Sequence, residues 1–305
     1  MLGYLTHDDC RGHDPGPIHP EATIRLEAIE DHLIASGLAT ALVHHEAPLV
    51  AREQLERVHA PAYIDHVFQS APENGRVALD GDTIMSPMTL AAARRAAGAG
   101  PRAVDLIMDG RLSAAFCAVR PPGHHATRDQ AMGFCIFNNV AVAAAHALAA
   151  HGVDRVAILD FDVHHGNGTE DIFRGDERVL MCSSFQHPFY PHSGYDGTTP
   201  NLVAVPLPAG TDGDSFRASI SGTWLPALER FAPEFVLVSA GFDGHANDDM
   251  SDVRLVDADF QWITETIMDV ASRHAGGRVV SMLEGGYEPD VLARSVVAHL
   301  KAMLG

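Results

Sequence analysis

The chain has 305 residues, 46% of them hydrophobic, and this is enough to bury the core of one large α/β domain spanning 1–305. The formal net charge of −19, from 40 acidic and 21 basic side chains, disfavours nucleic acids and anionic membranes as partners. It would attract a cationic substrate, although an acid excess more often serves only solubility.

The sequence also predicts a cytoplasmic protein. No apolar run reaches the roughly 20 residues of a membrane span, and residues 1–10 lack the basic start and apolar centre of a secretion signal. Four cysteines form no CxxC pair, which favours reduced thiols over disulfides or thiolate-bound zinc.

Short apolar runs alternate with Ala-rich segments of helical period, a pattern typical of a mostly parallel sheet with helices on both faces. The predicted strands are 2–5, 114–119, 156–160, 179–183, 235–239 and 279–283. The predicted helices are 22–36, 88–109, 138–150, 169–174, 215–230, 257–274 and 289–303. In such a sheet ligands bind outside the carboxyl ends of the strands, so four polar loops at 120–128, 162–168, 241–252 and 285–289 are expected to share one crevice.

The first of these loops contains His124 and His125 after a Pro-Gly turn. Imidazole titrates near neutral pH, so either histidine could take a proton from water and give one to a leaving group. A histidine pair by itself is more often a solvated or hydrogen-bonded loop, so this interpretation depends on the neighbouring loops.

The next two loops carry candidate metal ligands. Asp160, Asp162 and His164 alternate with apolar residues, so in extended backbone they point to one side. Asp243 follows a later strand, and alone it would more often be a helix cap. Together, Asp162, His164 and Asp243 leave a coordination position open, as in catalytic zinc sites. In the last loop, Tyr287 follows two glycines and could donate a hydrogen bond to an oxyanion, although a packing role is the commoner one.

Four motifs in this order, RPPGHHA, DFDVHHGNGT, SAGFDGH and EGGY, resemble the zinc-dependent histone deacetylase family of the arginase-deacetylase superfamily. The resemblance runs from Gly16 to about Leu300 and implies the arginase-deacetylase fold. The run RPPGHHATRDQAMGFCIFNNVA, together with HHGNGT, GPIHPE at 16–21 and Arg25, is similar to the class II and bacterial deacetylase-like amidohydrolase branch.

The resemblance implies a role for each matching residue. Zn²⁺ is expected on Asp162, His164 and Asp243, with Fe²⁺ as an alternative ion for such a ligand set. Proton transfer falls to His124 and His125, and carbonyl polarisation to Tyr287. Asp160 is expected to orient His124 and to hold a structural K⁺ with the Ser183 side chain and backbone carbonyls that include that of Ser184. Asn167 is a neutral partner for His125, which favours His125 as the general base.

The resemblance further implies a narrow substrate tunnel. Phe134, beside Gly133, and Tyr190 are its expected aromatic walls, with Tyr190 standing where Phe is common. Met250 matches a gatekeeper position and is not the Glu that selects polyamines in one subgroup. Asp82 falls near a rim loop that holds peptide backbone in relatives.

These features predict a zinc-dependent amidohydrolase that removes acetyl or other acyl groups from lysine or aminoalkyl amides. An acetylpolyamine amidohydrolase is the runner-up, and a non-catalytic acyl-ligand or protein-binding module on the same scaffold is the alternative from another class. An arginase-like ureohydrolase would need more aspartates in these loops. The sequence leaves open whether the chain forms homo-oligomers.

Overall fold

The computed structural model describes all 305 residues, and its centre is an eight-stranded sheet in which every pairing is parallel. The sheet strands are β1 Leu2–Thr6, β2 Leu42–Glu46, β5 Ala114–Cys117, β6 Val156–Asp160, β7 Val179–Gln186, β8 Leu202–Leu207, β9 Phe235–Ala240 and β10 Val279–Leu283. A separate antiparallel hairpin consists of β3 Val77–Ala78 and β4 Ile84–Met85. The predicted α/β architecture is therefore confirmed.

Nine α-helices surround the sheet, and two groups of them pack together. The helices are α1 Ile24–Ala35, α2 Arg52–Leu55, α3 Pro61–Ser70, α4 Thr89–Met108, α5 Asn139–His151, α6 Asn167–Phe173, α7 Gly213–Phe231, α8 Asp257–His274 and α9 Pro289–Leu304. Helices α1, α8 and α9 form one group, and α4 packs along α5 in another. No helix combines the length and the apolar character that crossing a membrane requires. One continuous core of 82 buried residues joins the helices to the sheet.

The strand order β2-β1-β5-β10-β9-β6-β7-β8 explains why the four polar loops meet. Strands β5, β10, β9 and β6 are consecutive in the sheet, and each is followed by one of the four motifs. Because all are parallel, their carboxyl ends lie at the same edge. The prediction that these loops share one crevice is confirmed.

Several element predictions differ from the structure. Strand β5 ends at Cys117 rather than 119, whereas β7 extends to Gln186 because it pairs with β8 as far as Leu207. The edge strands β2 and β8 and the helices α2 and α3 were not predicted. Both edge strands are partly exposed, and β8 carries an exposed Pro206 that is tolerated where no further strand pairs.

Close packing of α4 against residues 47–50 provides a stability test. A Cβ on Gly98 would lie 2.1 Å from the Pro48 carbonyl oxygen and 2.8 Å from the Val50 nitrogen. We expect Gly98→Ala to lower the free energy of unfolding by about 1–3 kcal/mol, because the backbone of residues 48–50 would have to move to make room for the new Cβ. Gly222→Ala in α7 is the control: it meets no atom within 4 Å and should raise stability by about 0.5–1 kcal/mol through helix propensity. Urea unfolding of both variants measures the difference, and shifts of the same sign would contradict the packing argument.

Candidate active site

The crevice at the carboxyl ends of β5, β6, β9 and β10 brings the candidate metal ligands together. The His164 Nδ1 atom lies 3.1 Å from Asp162 Oδ1 and 3.1 Å from Asp243 Oδ2. The three ligand atoms lie within 4.8 Å of one another, and all three side chains are buried. Two carboxylates and one imidazole are a donor set that suits zinc or iron.

Backbone groups and glycines hold this cluster in place. Val163 N donates to Asp243 Oδ1 at 3.1 Å, and Gly285 N donates to Asp162 Oδ2 at 2.9 Å. A Cβ on Gly241 would lie 2.0 Å from Asp162 Oδ2, and a Cβ on Gly285 would lie 2.1 Å from Asp243 Oδ2. Only glycine therefore lets these loops close around the carboxylates.

The electrostatics of the cluster also fit a cation. Burial raises the pKa of Asp243 to about 6, and the charge of Asp162 adds to this effect. Burial opposes a charge on His164, but Asp243 and Asp162 outweigh it and raise the pKa of His164 to about 10. Positive charge is thus favoured between the two carboxylates, and the residues present fit a divalent metal ion.

The two histidines of the first loop have different partners. His124 Nδ1 is 3.0 Å from Asp160 Oδ2, and its Nε2 is 3.8 Å from Asp162 Oδ1. Burial alone would lower the pKa of His124, yet Asp162 and Asp160 raise it well above the ordinary value. His124 is therefore stabilised as an imidazolium that can give a proton.

His125 is stabilised as the neutral imidazole. Its Nδ1 donates to Asn167 Oδ1 at 2.8 Å, which leaves the lone pair on Nε2. Burial lowers the pKa of His125 well below the ordinary value, and His124 and His164 lower it further. This tautomer can accept a proton at Nε2, as expected from the neutral partner Asn167.

The candidate potassium site lies on the neighbouring strands β6 and β7. Asp160 pairs with Ser183 across β6 and β7, and the hydroxyl oxygens of Ser183 and Ser184 are buried without a hydrogen-bond partner. Unpaired buried hydroxyls are costly, so an ion at Ser183 would satisfy an acceptor that the protein leaves free. The unpaired Ser184 hydroxyl is not explained by the expected role of its backbone carbonyl.

A cavity of about 210 Å³ opens onto the candidate metal ligands, of which His164 is part of its lining. Its walls include every residue predicted for the tunnel, and it is lined by Asp82, His125, Gly133, Phe134, His164, Phe189, Tyr190, Met250 and Tyr287. The Phe134 ring meets Tyr287 edge to face at 5.8 Å, and the Tyr190 ring meets His125 at 5.2 Å. Phe189, whose ring stacks on His164 at 5.6 Å, was not predicted as a wall residue.

The aromatic wall at Phe134 is held in an unusual backbone conformation. Phe134 has φ +67° and Gly133 has φ +56°. Gly133 N donates to Asp82 Oδ1 at 3.0 Å, and Phe134 N donates to Thr83 Oγ1 at 3.1 Å. Asp82 therefore both lines the cavity and fixes its wall, a supporting role that was not predicted.

Tyr287 is positioned by two charged residues from distant parts of the chain. Arg25 donates through Nε to Gly286 O at 2.6 Å and also binds Glu284 O, and its guanidinium carbon lies 4.9 Å from the centre of the Tyr287 ring. Asp248 accepts from Tyr287 N at 2.6 Å. Burial raises the pKa of Tyr287 well above its ordinary value although Arg25 opposes it, so the phenol remains a donor.

Two further buried carboxylates accept hydrogen bonds, one from the loop that carries His124 and one from Arg25. Glu284 accepts from Gly123 N at 2.6 Å and from His124 N at 3.2 Å. Glu21 binds Arg25 at 3.0 Å and also pairs with the buried Arg120. The sequence contained one signal for Glu284, an acid directly after an apolar strand, whereas its partners lie about 160 residues away.

Comparisons with known proteins agree with this geometry. The sequence model of the histone deacetylase domain matches residues 19–303. A histone deacetylase-like amidohydrolase of Pseudomonas aeruginosa is 40% identical over 99% of this chain and 80% of that protein. The human polyamine deacetylase HDAC10 is 38% identical over 92% of this chain and 44% of its own length.

A solved structure supports the same assignment. The crystal structure of the HDA15 HD domain superimposes with a TM-score of 0.92 at 32% identity, covering 100% of this chain and 88% of that one. The chain belongs to the histone deacetylase family. It is a hydrolytic deacetylase of the amidohydrolase type, so the predicted enzyme class is confirmed.

The contacts of Arg25 generate a prediction about Tyr287. Arg25→Lys removes the planar fork that binds two carbonyls of the Tyr287 loop, so we expect kcat to fall about 10- to 100-fold through misplacement of the phenol. The effect should nearly vanish when Arg25→Lys is added to Tyr287→Phe, because both changes act on the same hydroxyl. Steady-state kinetics measures both variants. Arg217→Lys, which removes a guanidinium stacked on Trp262 outside the cavity lining, is the control. A full additional loss in the double variant would point to a general folding defect.

Proposed function

We propose that residues 1–305 form a single zinc-dependent catalytic domain that hydrolyses acyl-lysine or aminoalkyl amides. The supporting observation is the buried set of Asp162, His164 and Asp243 at the end of a narrow cavity that is also lined by His125 and Tyr287. When bound there, Zn²⁺ supplies Lewis acidity that polarises a carbonyl and lowers the pKa of water. The same ligands also suit Fe²⁺.

His125 is the proposed general base of this reaction. Its Nε2 lone pair, fixed by the hydrogen bond from Nδ1 to Asn167, takes the proton of the water that attacks the amide carbonyl. Buried surroundings keep the imidazole neutral before this step. Asn167 acts as a positioning residue because it sets the tautomer without touching the substrate.

Tyr287 and His124 act on the charges that follow the attack. The Tyr287 hydroxyl donates a hydrogen bond to the oxyanion of the tetrahedral intermediate. His124, held as an imidazolium by Asp160, gives a proton to the amine as the carbon–nitrogen bond breaks. The products are a carboxylate, acetate for an acetyl substrate, and a free amine.

The remaining assignments concern ions and location. K⁺ is proposed at Asp160 and Ser183, supported by the unpartnered Ser183 hydroxyl. A cytoplasmic location is proposed because all four cysteines are buried and free, as expected in a reducing compartment.

The cavity favours a linear acyl-lysine chain as the substrate. Its walls are the aromatic rings of Phe134, Phe189 and Tyr190, and Met250 stands beside them. A polyamine would need an anionic partner there, and the one carboxylate in the lining, Asp82, already accepts from Gly133 N. Acetylpolyamine hydrolysis is the second candidate function, because the human polyamine deacetylase HDAC10 is a relative of this chain.

Loss of a ligand tests the metal assignment. Asp243→Ala removes one of three ligands, so we expect the purified protein to lose both bound zinc and turnover of an acetyl-lysine peptide. Elemental analysis and activity are measured on the same preparation. Asp214→Ala, at an exposed acid of α7, is the control for removing a carboxylate. Stoichiometric zinc with normal turnover in Asp243→Ala would show that the ligand assignment is wrong.

Removal of one hydroxyl tests the oxyanion role. Tyr287→Phe keeps the ring packed against Phe134 and below Arg25, so zinc content and unfolding should stay unchanged. We expect kcat to fall by about 10²–10³, the usual cost of one oxyanion donor. A change confined to the Michaelis constant would instead assign Tyr287 to substrate packing.

A third test separates the two substrate classes. Met250→Glu places an anion beside the cavity, so it should raise kcat/KM for acetylspermidine relative to an acetyl-lysine peptide, whereas the unmodified enzyme should prefer the peptide. Both rates are compared at low and high salt, because salt screens the attraction of the −19 net charge but leaves short cavity contacts largely intact. Met88→Glu, at an exposed methionine outside the cavity lining, is the matched control. A preference of the unmodified enzyme for acetylspermidine would favour the polyamine activity.

A further inference from the structure

A second group of metal-ligand side chains lies on helices α4 and α5. Asp105 Oδ1 is 2.8 Å from His146 Nε2 and 2.8 Å from His151 Nε2. The three ligand atoms lie within 4.8 Å of one another. His146 is buried, while Asp105 and His151 are partly exposed, so an ion can reach the group from solvent.

This group is separate from the active site. Asp105 lies in the last turn of α4, and His151 is the final residue of α5. These helix ends lead into the starts of β5 and β6, and the catalytic loops follow the opposite ends of the same strands. The whole length of the sheet therefore separates the two sets of ligands.

We propose that Asp105, His146 and His151 form a second metal site, which takes a divalent transition ion such as Zn²⁺, Ni²⁺ or Cu²⁺. Two imidazoles and one carboxylate suit these ions, whereas Mg²⁺ and Ca²⁺ prefer all-oxygen sites. Three protein ligands leave the remaining positions to water. The bound ion would connect α4 to α5 at the ends farthest from the catalytic centre.

The surroundings of His146 predict what opposes metal binding. Its Nδ1 is 3.1 Å from Arg57 Nη1 and 3.3 Å from Gln54 Nε2, and both of these atoms are donors. In the metal-free state Nδ1 therefore accepts, and Nε2 carries the proton that it donates to Asp105. An ion on Nε2 requires the proton to move to Nδ1, so the exposed Arg57 must turn away and the Gln54 amide must rotate. Arg57 thus competes with the ion, both as a donor and as a positive charge.

The test counts metal equivalents in the intact enzyme. Protein with its active-site metal bound, verified by elemental analysis, is titrated with Ni²⁺ or Zn²⁺ in a calorimeter. We expect one further equivalent to bind. His151→Ala should weaken this equivalent at least about tenfold, and Arg57→Ala should tighten it severalfold. Asp243→Ala should keep this equivalent while it loses the active-site metal, so failure of the active-site assignment and failure of this proposal are distinguishable.

Two controls keep the result interpretable. A double variant with His44→Ala and His45→Ala removes an adjacent histidine pair on edge strand β2 and should leave the further equivalent unchanged. If His151→Ala melts at a lower temperature than the unmodified protein, Asp105→Asn is used in its place, because it removes the charge of a ligand and keeps the size of the side chain. Absence of a further equivalent, its survival at unchanged affinity in the folded ligand variant, or its loss in the His44/His45 double variant would overturn the proposal.

Discussion

The structure depends on the burial of negative charge at the carboxyl ends of four adjacent strands. Asp160, Asp162, Asp243 and Glu284 are all at most 1% exposed and lie in one crevice. Unpaired buried carboxylates would be prohibitively costly, so each has a specific partner. Backbone N–H groups, His124 and His164 provide part of this compensation, and the fit to a divalent ion follows from the charge that these partners leave uncompensated.

The same constraint explains the difference between His124 and His125. His124 faces Asp160 and Asp162, so its positive form is stabilised, whereas His125 faces the neutral Asn167 and two other histidines. Their ring centres are only 4.0 Å apart, yet their environments shift their pKa values in opposite directions. A positively charged and a neutral imidazole can therefore coexist side by side, because the carboxylates face His124 whereas burial and two neighbouring histidines act on His125.

Much of this arrangement was predictable from local sequence, and the remainder depends on contacts between distant segments. The alternation at 159–164 and the apolar strands before each motif place the ligands, because the strand period and the parallel sheet decide their direction. The hydrogen bond from Arg25 to the Gly286 carbonyl, which positions the Tyr287 loop, joins residues 261 positions apart, and no local sequence pattern encodes such a contact. The edge strands β2 and β8 were missed for other reasons. Strand β2, LVHHE, lacks the continuous apolar run of a buried parallel strand, whereas β8, LVAVPL, has an apolar run that contains Pro206, a residue that argues against a strand.

The two groups of Asp and His side chains differ in what holds them, and this difference bears on how each would bind an ion. Around Asp162, His164 and Asp243, backbone N–H groups and glycines without room for a Cβ fix the ligands before any ion arrives. Asp105, His146 and His151 stand on helix surfaces, and His146 must first give up contacts to Arg57 and Gln54. Preorganised ligands bind an ion with little rearrangement, whereas in the helix group a change of tautomer and of side-chain position lowers the affinity for the ion. The buried group therefore suits a permanently held catalytic ion, and the helix group suits one that exchanges with solvent.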